Sequence, residues 1–301
     1  MTAASRPMVS RSDPAHHYDR ITPAWSIVLG EDFHHGLYET GTEPLTVATE
    51  AMTRRLARAA GVAAGDRVLD VGCGIGGSAC WLAAECDASV LGISTSGRGI
   101  ELARERAAAR GLADRVEFAE RDALETGLPD ASFDVVWLLE VAQYLVPKER
   151  MMSECARLLA PGGRLVLADV VLRRELTLRD LRARHHELSI LRDTFGDAQM
   201  IPPDEYAALA AEAGLAGVEV TDLSQPIRPT FADWRGRAEQ AHDRVVAAAD
   251  PTMFERFVAA CEVMEQLLDA GIIGYTLITA RRPGAADGAD PDGPPSAGAA
   301  S

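Results

Sequence analysis

Lysine is almost missing from this 301-residue chain: Lys148 is the single one among 30 basic residues, and the rest are arginines. With the abundance of alanine, that bias is a mark of a GC-rich source and carries no functional reading. Positive charge as a whole is scarce, because 45 acidic residues leave a net charge of −15. A surface that tracks nucleic-acid phosphates normally shows a basic excess, so nucleic-acid binding is not the default expectation. Long apolar runs are lacking too. No segment approaches the roughly 18 residues a membrane helix needs, and the polar N-terminus lacks a signal-like apolar stretch. The five cysteines (Cys73, Cys80, Cys86, Cys155, Cys261) form no Cys-x-x-Cys pair and no His/Cys cluster. An odd, scattered set of this kind reads as reduced thiols in a cytoplasmic protein with no metal site.

What is present suffices for a folded chain. A hydrophobic fraction of 47% excludes global disorder. Residues 1–12, and the low-complexity acidic tail 283–301, are expected to be disordered. Between them, short β-rich runs alternate with helical patterns. Arg67–Val71, Ser89–Ile93, Arg115–Ala119, Phe133–Leu138 and Arg164–Val171 read as strands. Helical stretches separate them, notably 98–110, stopped by Gly111, and 148–159, which runs into Pro161-Gly162-Gly163. This alternation predicts right-handed βαβ units and a mostly parallel sheet covered on both faces. Later, 174–195, 203–213, 230–247 and 251–270 read as helices, with strands at Gly217–Asp222 and Gly271–Ala280. Residues 13–60 also look largely helical. One domain over 13–282, capped by 13–60 and 172–270, is the expected organisation.

The most informative run is Val68-Leu69-Asp70-Val71-Gly72-Cys73-Gly74-Ile75-Gly76-Gly77, a strand that meets closely spaced glycines and then a helix. Glycine lets backbone turn tightly and approach a ligand without a Cβ clash. The spacing differs from Gly-x-Gly-x-x-Gly, and no Lys-Ser/Thr follows as a phosphate loop requires. Asp70, just before the turn, would repel a pyrophosphate but suits a cationic ligand, which points away from NAD and ATP.

This run resembles the first motif of class I S-adenosylmethionine-dependent methyltransferases, and later segments across about 60–170 fall in that family's order. The resemblance implies a Rossmann-like, seven-stranded, mostly parallel sheet whose last strand is antiparallel, with a helical cap. It implies S-adenosyl-L-methionine as cofactor, with Asp70, Gly72, Gly74 and Gly76 at its amino-acid end. Asp122 and Ala123 would face the adenine, and the Leu139 carbonyl the ammonium. The second strand ends in Gly92-Ile93-Ser94-Thr95-Ser96, similar to a Gly-Ile-Thr-Leu-Ser version found in small-molecule enzymes of the tocopherol and sarcosine types. Those carry Gln where this chain has Gly99, which leaves Ser94 or a backbone group for the ribose. His17-Tyr18-Asp19 and Phe33-His34-His35-Gly36-Leu37-Tyr38 resemble N-terminal elements of the same enzymes, and imply that Tyr18 lines the cofactor site. His34 and His35 are as readily structural.

Methyl transfer is an in-line displacement, so much of the catalysis is positioning, with a base where the acceptor loses a proton. Relatives often show Glu-His after the fourth strand; this sequence has Gln143-Tyr144. Candidate catalytic residues are Tyr144, to orient an acceptor or line its pocket; Asp169, at the carboxyl end of the fifth strand; and His186, with Glu187 as the other choice in Arg184-His185-His186-Glu187. Phe231 and Trp234 read as core. Arg173, Arg174, Arg182 and Arg184 are available to a diphosphate. The expected function is O- or N-methylation of a small molecule in bacterial specialised metabolism. Carbon methylation of a prenyl acceptor, and a non-methylating cyclase or cofactor-binding protein on the same scaffold, are the rivals. The partner is a small-molecule acceptor, with neither nucleic acid nor membrane; a homo-oligomer is compatible with the sequence.

Overall fold

A computed structural model describes residues 14–248 and 251–284. The stretch 1–12, and all but the first two residues of 283–301, lie outside the described residues. Helices α1 (Pro14–Leu29) and α2 (Leu45–Ala60) precede β1 (Arg67–Val71). Then come α3 (Gly77–Cys86), β2 (Ser89–Ser94), α4 (Gly97–Ala109), β3 (Val116–Glu120), β4 (Phe133–Leu139), α5 (Lys148–Leu158) and β5 (Leu159–Leu172). The later elements are α6 (Leu178–Ala183), α7 (His185–Phe195), α8 (Pro203–Glu212), β6 (Ala216–Asp222), α9 (Ser224–Ile227), α10 (Pro229–Gln240), α11 (His242–Ala248), α12 (Pro251–Asp269) and β7 (Ile273–Arg281).

The seven strands form one sheet in the order β3-β2-β1-β4-β5-β7-β6. Pairs from β3 through β5 are parallel, and β7 runs antiparallel to both neighbours. Period-two alternation sends successive side chains to opposite faces. Val68, Val135, Trp137 and Val166 join the core on one face, and Leu69, Val136, Leu138 and Leu165 the core on the other. Each such fully buried aliphatic side chain contributes roughly 1.5–3 kcal/mol. A third apolar cluster, with Ile21, Trp25, Trp234 and Phe257, ties α1 to α10 and α12.

Two expected helices break. Helix 174–195 starts late because Thr177 forms a capping box with Asp180, and it is interrupted at Arg184 (φ −110°, ψ 17°), giving α6 and α7. Helix 230–247 is interrupted at Ala241 (φ −102°, ψ 12°), between α10 and α11. α6 buries none of its side chains. Among the described residues, no helix is long and apolar enough to cross a membrane.

Candidate active site

The sheet order reverses between β1 and β4, and the crevice over the carboxyl ends of strands at such a point is where open α/β sheets hold ligands. A cleft of about 400 Å³ lies there, walled by Gly72 and Gly74 after β1, Ser94 to Ser96 after β2, Asp122 and Ala123 after β3, and Leu139 after β4. Tyr18 and Thr22 of α1 cover it. The α1 helix is tethered to this rim by Ser96, whose hydroxyl donates to the Asp19 carboxylate at 2.5 Å.

Gly72, Gly74 and Gly76 all hold positive φ, of 74°, 54° and 81°. Their surroundings differ. A Cβ at Gly76 would stand 2.7 Å from the Phe118 ring and 2.9 Å from the Ala103 methyl, so this glycine serves packing between α3, α4 and β3. Gly76 is also off the cleft wall, unlike Gly72 and Gly74. A Cβ at Gly74 meets nothing within 4 Å. Gly99 lies on the wall, and a side chain there would crowd the Ser96 hydroxyl at 3.0 Å and the Gly74 carbonyl at 3.1 Å. The place where relatives carry glutamine is therefore filled by the Ser96 cap of α4, which accepts from the Gly99 N–H at 2.9 Å.

Asp70 lines a small extension of this cleft together with Asp32 and His34. Its Oδ2 is buried without a hydrogen-bond partner, and burial pushes its carboxyl up to about 7. An orphaned buried carboxylate oxygen beside a second carboxylate suits a cation carrying N–H donors. S-adenosylmethionine, with an ammonium and a sulfonium, fits that environment; a pyrophosphate does not.

A larger cavity of about 670 Å³ adjoins the first. Both are lined by Tyr18, Phe33, Glu140, Tyr144, Phe195, Gly196 and Asp197, which therefore form the seam between them. Tyr144 sits on a single 3-10 turn, Ala142–Tyr144, edge-on to Tyr18 with ring centroids 5.8 Å apart. The two hydroxyls share a hydrogen bond, and burial pushes both phenols up, so both stay protonated.

Asp169 and His186 lie elsewhere than expected. Asp169 is fully buried and off both cavity walls. Its oxygens accept the N–H groups of Gln143 and Val170 at 2.9 and 2.8 Å, pinning the turn that carries Tyr144. Burial first, with the nearby Glu140 charge, raises its carboxyl to about 7 against the pull of the Gln143 N–H. The Lys148 ammonium donates to the Ala142 carbonyl of the same turn. His186 is exposed and off the wall, because the break at Arg184 turns His185 toward the cavity instead. Arg173, Arg174, Arg182 and Arg184 do not line the cavity, and the first, second and fourth are paired with Asp222, Asp180 and Glu187. Trp234 is core, as expected, yet also lines the larger cavity.

The residue the sequence reading missed is Glu140. It directly follows β4 and is one of three non-glycine residues with positive φ among the described residues, at 55°. Its Oε1 accepts the His35 N–H at 2.7 Å and the Tyr275 hydroxyl at 2.8 Å. His35 Nδ1 stands 2.9 Å from Oε2, a charge contact outside good hydrogen-bond alignment. Burial works to raise this carboxyl, but His35, with His34 behind it, outweighs burial and holds it below its ordinary value. Its position at the carboxyl end of a central strand was the available signal.

Sheet order, glycine turn and cation-suited cleft together define the class I, Rossmann-like methyl-donor scaffold. The family model for a methyltransferase domain matches residues 69–167. The methyltransferase GfsG of Streptomyces halstedii is 36% identical over 273 residues, covering 89% of this chain and 93% of that protein. A 27-O-demethylrifamycin SV methyltransferase of Amycolatopsis mediterranei is 36% identical over 271 residues, covering 88% and 95%. The solved structure of the [4+2]-cyclase SpnF superposes with a TM-score of 0.77 at 27% identity, covering 90% of this chain and 96% of that one. The chain belongs to the S-adenosylmethionine-dependent methyltransferases, and its acceptors are small molecules.

Proposed function

We propose that this enzyme methylates a hydroxyl oxygen of a bulky, mostly apolar, uncharged specialised metabolite. The carrying observation is the 670 Å³ cavity opening onto the cofactor cleft. Its size lies near the middle of the range of roughly 300–1,000 Å³ for small-molecule sites, room for a multi-ring or long-chain acceptor. Its walls are mainly Leu, Phe, Trp, Met, Val and Ile, and Arg192 is the one arginine on them among the described residues. A diphosphate or phosphomonoester acceptor would want several converging cations, which argues against a prenyl diphosphate. Oxygen as the acceptor atom draws support from the relative that acts on 27-O-demethylrifamycin SV.

In this reading Asp70 takes the cofactor ammonium together with the Leu139 carbonyl, and Gly72 and Gly74 admit its amino-acid end. Ser94 faces the ribose, and Asp122 and Ala123 the adenine. Tyr18 closes the cleft from above, and Tyr144 orients the acceptor at the seam. The cofactor supplies an electrophilic methyl on sulfonium; the chain's residues bind, orient and exclude water. A second reading, cyclisation without methyl transfer, is favoured by the likeness to SpnF. Incubation with methyl-labelled S-adenosylmethionine and bulky natural-product alcohols, 27-O-demethylrifamycin SV among them, separates the two. Label in a new methyl ether supports the first reading; rearranged product without label supports the second.

A further inference from the structure

Two carboxylates, Glu140 and Asp197, line both the donor cleft and the acceptor cavity. A group that relieves an acceptor hydroxyl of its proton must reach the place where acceptor and methyl meet. Asp197 lies half-buried in the segment after α7, beyond Gly196, and among the described residues its carboxylate accepts no hydrogen bond. Glu140 is different: its side chain is 10% exposed, and two elements far apart in sequence immobilise it, the loop holding His35 and strand β7 holding Tyr275. The His35 ring is in turn wedged among Phe231, Trp234 and Tyr275, at centroid distances of 5.3, 4.8 and 5.4 Å. The left-handed backbone at Glu140 costs about 1–2 kcal/mol for a residue with a side chain. Such strain persists only where the surroundings over-determine it, often at functional sites.

We propose that Glu140 is the general base of the transfer, with His35 and Tyr275 as its positioning residues. The inference rests on the O-methylation reading. A lone pair of the acceptor oxygen forms the bond to the methyl carbon as the carbon–sulfur bond breaks, and the pair of that broken bond stays on sulfur, leaving the neutral thioether of S-adenosylhomocysteine. The hydroxyl proton passes to a Glu140 carboxylate oxygen and leaves with product exchange. The groups that face Glu140 are His35 and His34 from the loop after α1, Tyr18 of α1, Tyr144, Asp169 of β5 and Tyr275 of β7. The histidines keep the carboxylate ionised at neutral pH; Asp169 opposes them.

The test begins with the wild type on a panel of bulky natural-product alcohols including 27-O-demethylrifamycin SV, with transfer of labelled methyl as the readout. No transfer to oxygen on any of them overturns the O-methylation reading, and this inference with it. With an accepted alcohol in hand, Glu140→Gln keeps the side chain's shape and should lower kcat roughly 10²–10⁴-fold, while S-adenosylhomocysteine binding by calorimetry stays within about twofold. Asp197→Asn should lower kcat less than Glu140→Gln does. His35→Gln should move the acid limb of the kcat/KM profile to higher pH, since the carboxyl loses the ring that holds it below its ordinary value; a merely structural role would lower the plateau and leave the limb in place. Wild-type-like turnover of Glu140→Gln, or a greater loss in Asp197→Asn, overturns the assignment while leaving O-methylation standing.

Discussion

The two glycines at 74 and 76 belong to one turn, yet substituting them should break different things. At Gly76 an alanine meets the cost of left-handed backbone (φ 81°), about 1–2 kcal/mol. Its Cβ also presses on Phe118 at 2.7 Å and on the Ala103 Cβ and Cα at 2.9 and 3.2 Å. The ring and the α4 backbone are packed in the core, so overpacking adds about 1–3 kcal/mol. The sum, about 2–5 kcal/mol, corresponds to a fall in Tm of roughly 5–15 °C. At Gly74 the φ cost is similar in kind, but no protein atom lies within 4 Å of the new Cβ. Its loss of Tm should be roughly 2–6 °C. What Gly74→Ala intrudes upon is the volume of the cofactor cleft, and S-adenosylhomocysteine affinity should drop at least about tenfold, a cost of about 1.4 kcal/mol; Gly74→Val should abolish binding. Scanning fluorimetry of the apo proteins and isothermal titration with S-adenosylhomocysteine read the two effects separately. If Gly74→Ala melts as low as Gly76→Ala, or binds the nucleoside like wild type, the division between a packing glycine and a cleft glycine is wrong.

Three further outcomes are expected. The Asp70 carboxyl binds its proton more tightly folded than unfolded, so its contribution to stability is complete below its ordinary value of 3.8 and is lost as pH rises through about 7. Asp70→Asn should therefore remove that slope, melt at or above apo wild type at pH 8, and bind S-adenosylhomocysteine at least tenfold more weakly; a lower Tm at pH 8 would refute the burial argument. Tyr144→Phe, which removes the hydrogen bond to Tyr18, should reduce kcat several-fold with little change in cofactor affinity, and unchanged kinetics would leave Tyr144 as cavity lining only. Lys148→Met strips the Ala142 carbonyl of its charged donor, which should cost about 1.5–3 kcal/mol in chemical denaturation and lower turnover through the Tyr144 turn. A variant as stable and as active as wild type would show that the lysine does not support that turn.

Much of the scaffold was legible along the chain, because local patterns encode it. The runs Arg67–Val71, Ser89–Ile93 and Phe133–Leu138 reappear as β1, β2 and β4 within a residue or so. Glycine spacing after β1 pointed to a turn that the structure places on a cleft wall, since tight backbone approach demands glycine wherever it occurs. The long late helices were misread in two ways: the Thr177–Asp180 cap starts α6 late, and a separate one-residue break at Arg184 leaves His185, not the adjacent His186, on the cavity wall. Asp169 was placed correctly at a strand's carboxyl end, but its direction was invisible, and it turns inward to hold Gln143.

The sequence by itself determined the class of chemistry: a donor fold with a cation-suited carboxylate at position 70 and a net charge that disfavours polyanions. Even Lys148, which as composition meant nothing, proves to be 7% exposed and bound to the turn that presents Tyr144. Only the tertiary structure decided the larger cavity beside the cleft. Its seam is assembled from Tyr18, Phe33, Glu140, Tyr144 and Phe195, and Glu140 is held by residues 105 and 135 positions away. Local propensity and spacing report on neighbours within a turn or a strand. A cavity wall is a meeting of distant segments, and no local pattern records which of them will meet.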